Sequence, residues 1–202
     1  MILIIEGHRA SGKTFLIDQF IEQCDIPNVH YYKFQFAKYI EDLGIRDQET
    51  GPGVHYFSIS NVMTIFELNQ TLLSDKVLVF DRAIFSAYVW SIYRERMEKG
   101  RLLTEFEKLL LNEIYNNVTV VYVNREESIT TVKREDKDYF GNFENADAEK
   151  RIFEEIFAQF DHLINDPAKR NRFTRFTNHF DEISCESFNS LLTDLINNRT
   201  VS

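Results

Sequence analysis

Cysteine is nearly missing from this chain of 202 residues: there are two, Cys24 and Cys185, far apart and in no C-x-x-C pair. That excludes a disulfide framework and a cysteine-built zinc site, and it implies a reduced, cytoplasmic setting. Chain breakers are scarce as well. Seven glycines, three prolines, no repeat and no biased-composition segment leave few places to divide the sequence, so one domain over residues 1–202 is expected. No apolar run approaches the length of a membrane span, and the first, Ile2 to Ile5, is too short for a signal peptide; no membrane partner is expected. Positive charge is also in deficit, with 23 Lys and Arg against 32 Asp and Glu and a formal charge of -9. This balance argues against a protein that coats duplex DNA, which needs a clustered basic face, although it leaves space for a local basic pocket. The five histidines, at 8, 30, 55, 162 and 179, show no metal-ligand spacing.

What the chain has in quantity is apolar and aromatic. Hydrophobic residues make up 44%, including 18 Phe and 9 Tyr, enough for one well-filled core. The apolar residues fall into short continuous runs that read as buried strands, at 2–6, 29–34, 77–80, 118–123 and 172–177. Helical patterns start at Lys13 and cover about 36–43, 58–73, 83–97, 103–115, 147–164 and 186–197. GIRDQETGPGVH, residues 44–55, is the clearest loop, and 126–146 is polar, charged and without apolar period. Strands that are apolar throughout and alternate with helices predict an α/β fold with a five-stranded parallel sheet, helices on both faces and a short lid at 126–146. Ligands of such sheets lie outside the carboxyl ends of the strands. Gly7, Asp81 and the segment after Val123 should therefore meet at one edge.

Three stretches carry chemistry. GHRASGKT, residues 7–14, fits G-x-x-x-x-G-K-[ST] between an apolar strand and a helical segment, which is the context a phosphate-binding loop needs. Backbone N–H groups of Gly7, His8, Arg9, Ala10, Ser11 and Gly12 would face phosphate oxygens, Lys13 would reach the transferring phosphates, and Thr14 would offer its hydroxyl to Mg²⁺. A glycine turn without a ligand is the plainer alternative. FDRAIFS, residues 80–86, ends a buried strand. There Asp81 suits a metal and Arg82 a phosphate, because phosphoryl transfer rests on positioning and charge neutralisation; a helix cap and a surface ion pair are the plainer alternatives. The third is VKREDKDYFGNFEN, residues 132–145, whose Arg134, backed by Lys133 and Lys137, would bring positive charge to the migrating phosphoryl group.

Together these residues resemble the thymidylate kinase and deoxynucleoside kinase branch of the phosphate-loop (P-loop) NTPase fold. DRAIFS is similar to that branch's D-R-[YF]-x-x-S strand end, with Ala83 in place of the aromatic and Ser86 closing the pattern. HYFSISN, 55–61, resembles its F-S-A-N-R helix start, YKF, 32–34, its R-F-P segment, and FEN, 143–145, its Y-E-N before the long helix. The loop IEGHRASGKT is also similar to I-E-G-x-x-A-S-G-K-T of the deoxynucleoside kinases. The resemblance covers roughly residues 1–163, and the remainder fits loosely. It implies a kinase that uses ATP and Mg²⁺, with Thr14 and Asp81 at the metal and Lys13, Arg82 and Arg134 around the moving phosphoryl group. For the acceptor it implies a pyrimidine deoxynucleoside monophosphate stacked on Phe57, with Lys33 on its phosphate and Arg82 and Ser86 beside it.

Two departures bear on the acceptor. Arg9 stands where the branch usually has an acidic residue for the sugar 3′-hydroxyl, and an arginine suits a phosphate instead. Asn61 stands where an arginine often reads the pyrimidine, and can both donate and accept. A deoxynucleoside, or a modified nucleotide within single-stranded DNA carrying a 3′-phosphate, are accordingly the rival acceptors. A nucleotide-binding switch is the rival from another class; the chain has no N-K-x-D stretch to read guanine. Relatives of this kind often pair through helices beside the sheet, which makes a homodimer an expectation of the resemblance, and the acidic, aromatic-rich composition would suit a virus of bacteria.

Overall fold

The computed structural model describes residues 1–8, 10–33, 76–82, 86, 118–125, 143–158 and 173–198. Within them the chain runs β1 (Ile2–Glu6), α1 (Lys13–Gln23), β2 (Val29–Lys33), β3 (Val77–Asp81), β4 (Thr119–Asn124), α2 (Phe143–Ala158), β5 (Phe173–Thr177) and α3 (Glu182–Asn197). The strands form one sheet in the order β2-β3-β1-β4-β5. Every neighbouring pair is parallel.

β1 lies at the centre and is buried along its whole length. A strand covered on both faces has no use for polar alternation, which is why ILII reads as a continuous apolar run. The period of two still sorts its side chains. Leu3 and Ile5 join Val79 and Val121 in a cluster with Leu16, Ile17 and Phe20 of α1 and Phe188, Leu192 and Ile196 of α3. The opposite face is aromatic. Tyr122 of β4 stacks on Phe153 at 5.7 Å and meets Phe157 at 4.7 Å, and Phe157 stacks on Phe173 of β5 at 5.2 Å. α1 and α3 therefore cover one face and α2 the other, giving three layers. Each fully buried Phe or Leu in these layers contributes roughly 1.5–3 kcal/mol relative to exposure, so the layers rest on many ordinary contributions.

The outer edge of β5 is finished with charge. Arg175, exposed, pairs with Glu154 of α2 at 2.6 Å and lies over the Tyr122 ring at 5.9 Å. Lys150 of α2 donates to the Arg125 carbonyl just past β4. These contacts seat α2 along the β4–β5 side.

The sequence-based boundaries of five elements need correction. α3 starts at Glu182, four residues before the expected 186, because the Asp181 carboxylate accepts the Ser184 N–H at 2.8 Å and caps the helix. Apolar periodicity becomes visible only from Phe188, inside a helix already under way. α2 starts at Phe143 rather than 147. FEN is thus its first turn, and residues 143–146, read as part of the lid, are helical. β3 extends to Asp81, β4 covers 119–124 instead of 118–123, and β5 opens at Phe173; these one-residue shifts follow from ladder pairing, which apolarity does not report. The helices read at 36–43, 58–73 and 103–115, the loop at 44–55 and the lid stretch 126–142 lie outside the described residues. So does the helix read at 83–97, apart from Ser86, which is helical. Among the described residues no helix is long and apolar enough to cross a membrane.

Candidate nucleotide site

The loop that leaves β1 turns back under β4. A Cβ added to Gly7 would lie 2.5 Å from the Val123 carbonyl oxygen, so only glycine lets the chain pass there. Ala10 and Gly12 both have positive φ, 57° and 80°. Gly12 is the N-cap of α1, no side chain caps that end, and no acidic residue stands in the first turn. A helix start left in this condition presents backbone N–H groups and partial positive charge to an anion. Lys13, the first residue of the helix, is 6% exposed.

The loop is held from behind by the turn between β5 and α3. Asn178 donates its side-chain amide to the Ser11 carbonyl at 2.9 Å, accepts the Phe180 N–H at 2.9 Å, and donates its own N–H to the Asn124 carbonyl at 2.9 Å. A Cβ on Gly12 would lie 2.3 Å from the same amide nitrogen. The Arg125 guanidinium sits 4.7 Å above the Phe180 ring, closing the β4 side of this support.

Asp81, the last residue of β3, points to the α1 face. Its Oδ2 accepts from the Thr14 hydroxyl at 2.9 Å and from the Tyr31 hydroxyl at 3.4 Å. Its Oδ1 is buried and has no hydrogen-bond partner among the described residues. A carboxylate oxygen desolvated in this way is costly unless a donor or cation meets it. Burial, then the carboxylates of Asp81 and Asp18, push the Tyr31 phenol well above its usual range, so Tyr31 remains a donor. A hard oxygen pair beside a phosphate loop suits Mg²⁺, and the residues fit that ion through Asp81 Oδ1 and the Thr14 hydroxyl.

Arg82 leaves the strand with φ 67°, a left-handed conformation that costs a non-glycine residue roughly 1–2 kcal/mol. Its N–H still donates to the Ile5 carbonyl at 2.9 Å. One guanidinium nitrogen donates to the Ser86 hydroxyl at 3.2 Å. Ser86 in turn donates its hydroxyl to Glu6 Oε2 at 2.5 Å and its N–H to Glu6 Oε1 at 3.3 Å.

The structure thus gathers Gly7, His8, Ala10, Ser11, Gly12, Lys13, Thr14, Asp81, Arg82 and Ser86 at the carboxyl ends of β1 and β3. Lys33 ends β2 in register with Asp81. Arg9, Phe57, Asn61 and Arg134, with Lys133 and Lys137, lie outside the described residues. Reading the sequence overlooked Glu6, Tyr31 and Asn178. A single acid ending an otherwise apolar strand was the signal for Glu6; Asn178 gave none, since it meets Ser11 across 167 positions.

Fold and loop together define a three-layer phosphate-loop α/β protein. No protein-family model and no curated protein matches the chain. Solved structures do. A thymidylate kinase from Candida albicans superposes with a TM-score of 0.61 at 14% identity, over 98% of this chain and 92% of that one. Deoxyadenosine kinase from M. mycoides gives 0.56 at 15%, over 98% and 100%. A thymidylate kinase from Ehrlichia chaffeensis gives 0.52 at 13%, over 97% and 98%. At identities this low the likeness establishes a common fold: the chain has the architecture seen in thymidylate and deoxynucleoside kinases.

Proposed function

We propose that this protein is a phosphate-loop kinase that transfers the γ-phosphoryl group of ATP to a pyrimidine deoxynucleoside monophosphate. The observation that carries the reading is the contact between Thr14 and Asp81, made beside a buried Lys13 at an uncapped helix start. That edge of the sheet supplies what a transferring phosphate needs, namely oriented N–H groups, a cation and a carboxylate to hold a metal. Mg²⁺, held by Asp81 and Thr14, would supply charge neutralisation on the phosphates.

The loop amides and Lys13 bind and orient the donor phosphates. An acceptor phosphate oxygen attacks Pγ, the bond from Pγ to the bridging oxygen breaks, and ADP leaves with that electron pair. No protein nucleophile takes part. Lys13 and Arg82 spread the charge of the transition state, joined by Arg134. Lys33 meets the acceptor phosphate, Phe57 stacks on the base and Asn61 reads its edge, by resemblance to the thymidylate kinase pattern. The likeness to a deoxyadenosine kinase fold supports a second acceptor class, an unphosphorylated deoxynucleoside.

The test is ATP-to-ADP conversion with Mg²⁺ across deoxynucleosides, their 5′-monophosphates and short single-stranded oligonucleotides, with Lys13→Ala as the blank. Turnover with pyrimidine monophosphates is expected. Turnover with nucleosides or oligonucleotides alone would reassign the acceptor, and tight ATP binding with no acceptor-dependent turnover would sink the kinase reading.

A further inference from the structure

β1 contains four apolar residues and then Glu6, which is fully buried. A carboxylate placed in a core is costly unless donors meet it. Both Glu6 oxygens accept from one residue, Ser86, itself 4% exposed and 80 positions away. That second contact fixes the direction of a hydroxyl. Serine has a single O–H hydrogen, and here it is given to Glu6 in the short, charge-assisted bond, so the lone pairs of Ser86 Oγ are turned to Arg82, which donates to them.

We infer that Glu6 is a positioning residue for Arg82, acting through the Ser86 hydroxyl. What Arg82 then does rests on the kinase reading; the relay itself does not. A long, flexible side chain leaving a strand end in a left-handed turn needs a fixed point if its guanidinium is to meet a phosphate in one place. Ser86 provides that point, and Glu6 sets its polarity. The negative charge two bonds behind the guanidinium also strengthens both hydrogen bonds, because donor and acceptor chains polarise one another in a low-dielectric interior. Gln at position 6 keeps the shape and loses this property. It has one oxygen for two Ser86 donors, and its NH₂ group must face either the N–H or the hydroxyl.

The experiment compares the wild type with Glu6→Gln, Ser86→Ala, Arg82→Ala and the double variant Arg82→Ala with Glu6→Gln. Folding is checked by thermal melts, and the Arg82 guanidinium is followed by side-chain NMR of its N–H groups. Glu6→Gln and Ser86→Ala are expected to lower kcat by up to about 10²-fold, as small misplacements of a catalytic group do, with KM for ATP little changed. In the Arg82→Ala background Glu6→Gln should add less than about twofold, the mark of two residues acting as one unit. Restricted rotation of the Arg82 guanidinium should be lost in both single variants. Equal losses from Glu6→Gln with and without Arg82, or Arg82 signals that do not change, would overturn the relay. If the wild type turned over no acceptor, the kinase reading would fall and the Arg82 signals alone would decide the relay; if only Glu6→Gln failed to fold, Ser86→Ala would carry the test.

Discussion

The hydroxyl of Thr14 donates to Asp81 Oδ2 at 2.9 Å across 67 positions of sequence, and the other carboxylate oxygen of Asp81 is buried without a hydrogen-bond partner among the described residues. The first turn of α1 and the end of β3 are thereby joined at one carboxylate oxygen.

Removing that carboxylate should separate metal use from folding. Asp81→Asn is expected to lower turnover by about 10²-fold or more, the usual scale for losing a central electrostatic group, and to raise the Mg²⁺ concentration needed for half-maximal rate. It should also relieve the desolvation of the unpaired oxygen, so its thermal midpoint should equal or exceed that of the wild type. An unchanged Mg²⁺ titration would show that Asp81 does not hold the metal.

The support behind the phosphate loop predicts a different pattern. Gly12→Ala places a Cβ 2.3 Å from the Asn178 amide at a φ of 80°, and Asn178→Ala leaves the Ser11 carbonyl without its donor. Losing that bond should cost about 1–3 kcal/mol in urea unfolding. Both variants should weaken binding of a fluorescent ATP analogue by more than they lower the midpoint. Wild-type nucleotide affinity in Asn178→Ala would mean that the loop holds its shape unaided.

Phe157 touches both Tyr122 and Phe173 and is fully buried. Phe157→Ala should cost roughly 3–5 kcal/mol of stability, measured by denaturant unfolding. A loss below about 1 kcal/mol would mean that the α2 face collapses around the cavity far more easily than such cores do.

Asp181 offers a pH signature at the start of α3. Its hydrogen bonds from Ser184, with a smaller effect of His179, hold its carboxyl below the usual range. A carboxylate whose folded pKa is lowered contributes stability above its unfolded pKa and loses it as pH falls through the folded value. The wild type should therefore melt above Asp181→Ala at neutral pH, and the gap should close as the pH drops below the ordinary aspartate range. A gap that stays constant with pH would assign the effect to helix propensity instead of the cap.

Much of the frame is legible in the sequence. The all-apolar runs of β1, β3 and β4 signalled a sheet covered on both faces, since only strands without a solvent side can dispense with polar alternation. GHRASGKT and FDRAIFS stood out because their residue types are local, with glycines, a lysine, a hydroxyl and a carboxylate in short spans, and the structure brings the two together at Thr14 and Asp81. The starts of α2 and α3 were not, because Asp181 caps through a single side-chain bond and Phe143 begins a turn whose apolar stripe appears later.

Sequence alone thus determined the positions of the five strands and the residue types that stand at their carboxyl ends, because those depend on neighbours within a turn or a strand. It could not determine that Asn178 backs Ser11, that Tyr31 shares an oxygen with Thr14, or that Glu6 and Ser86 meet. Those contacts join residues 50 to 167 positions apart. Only the strand order β2-β3-β1-β4-β5 and its parallel register bring them to one edge, since a polar group's partner in a packed interior is chosen by where the chain returns, and apolar period carries no record of that.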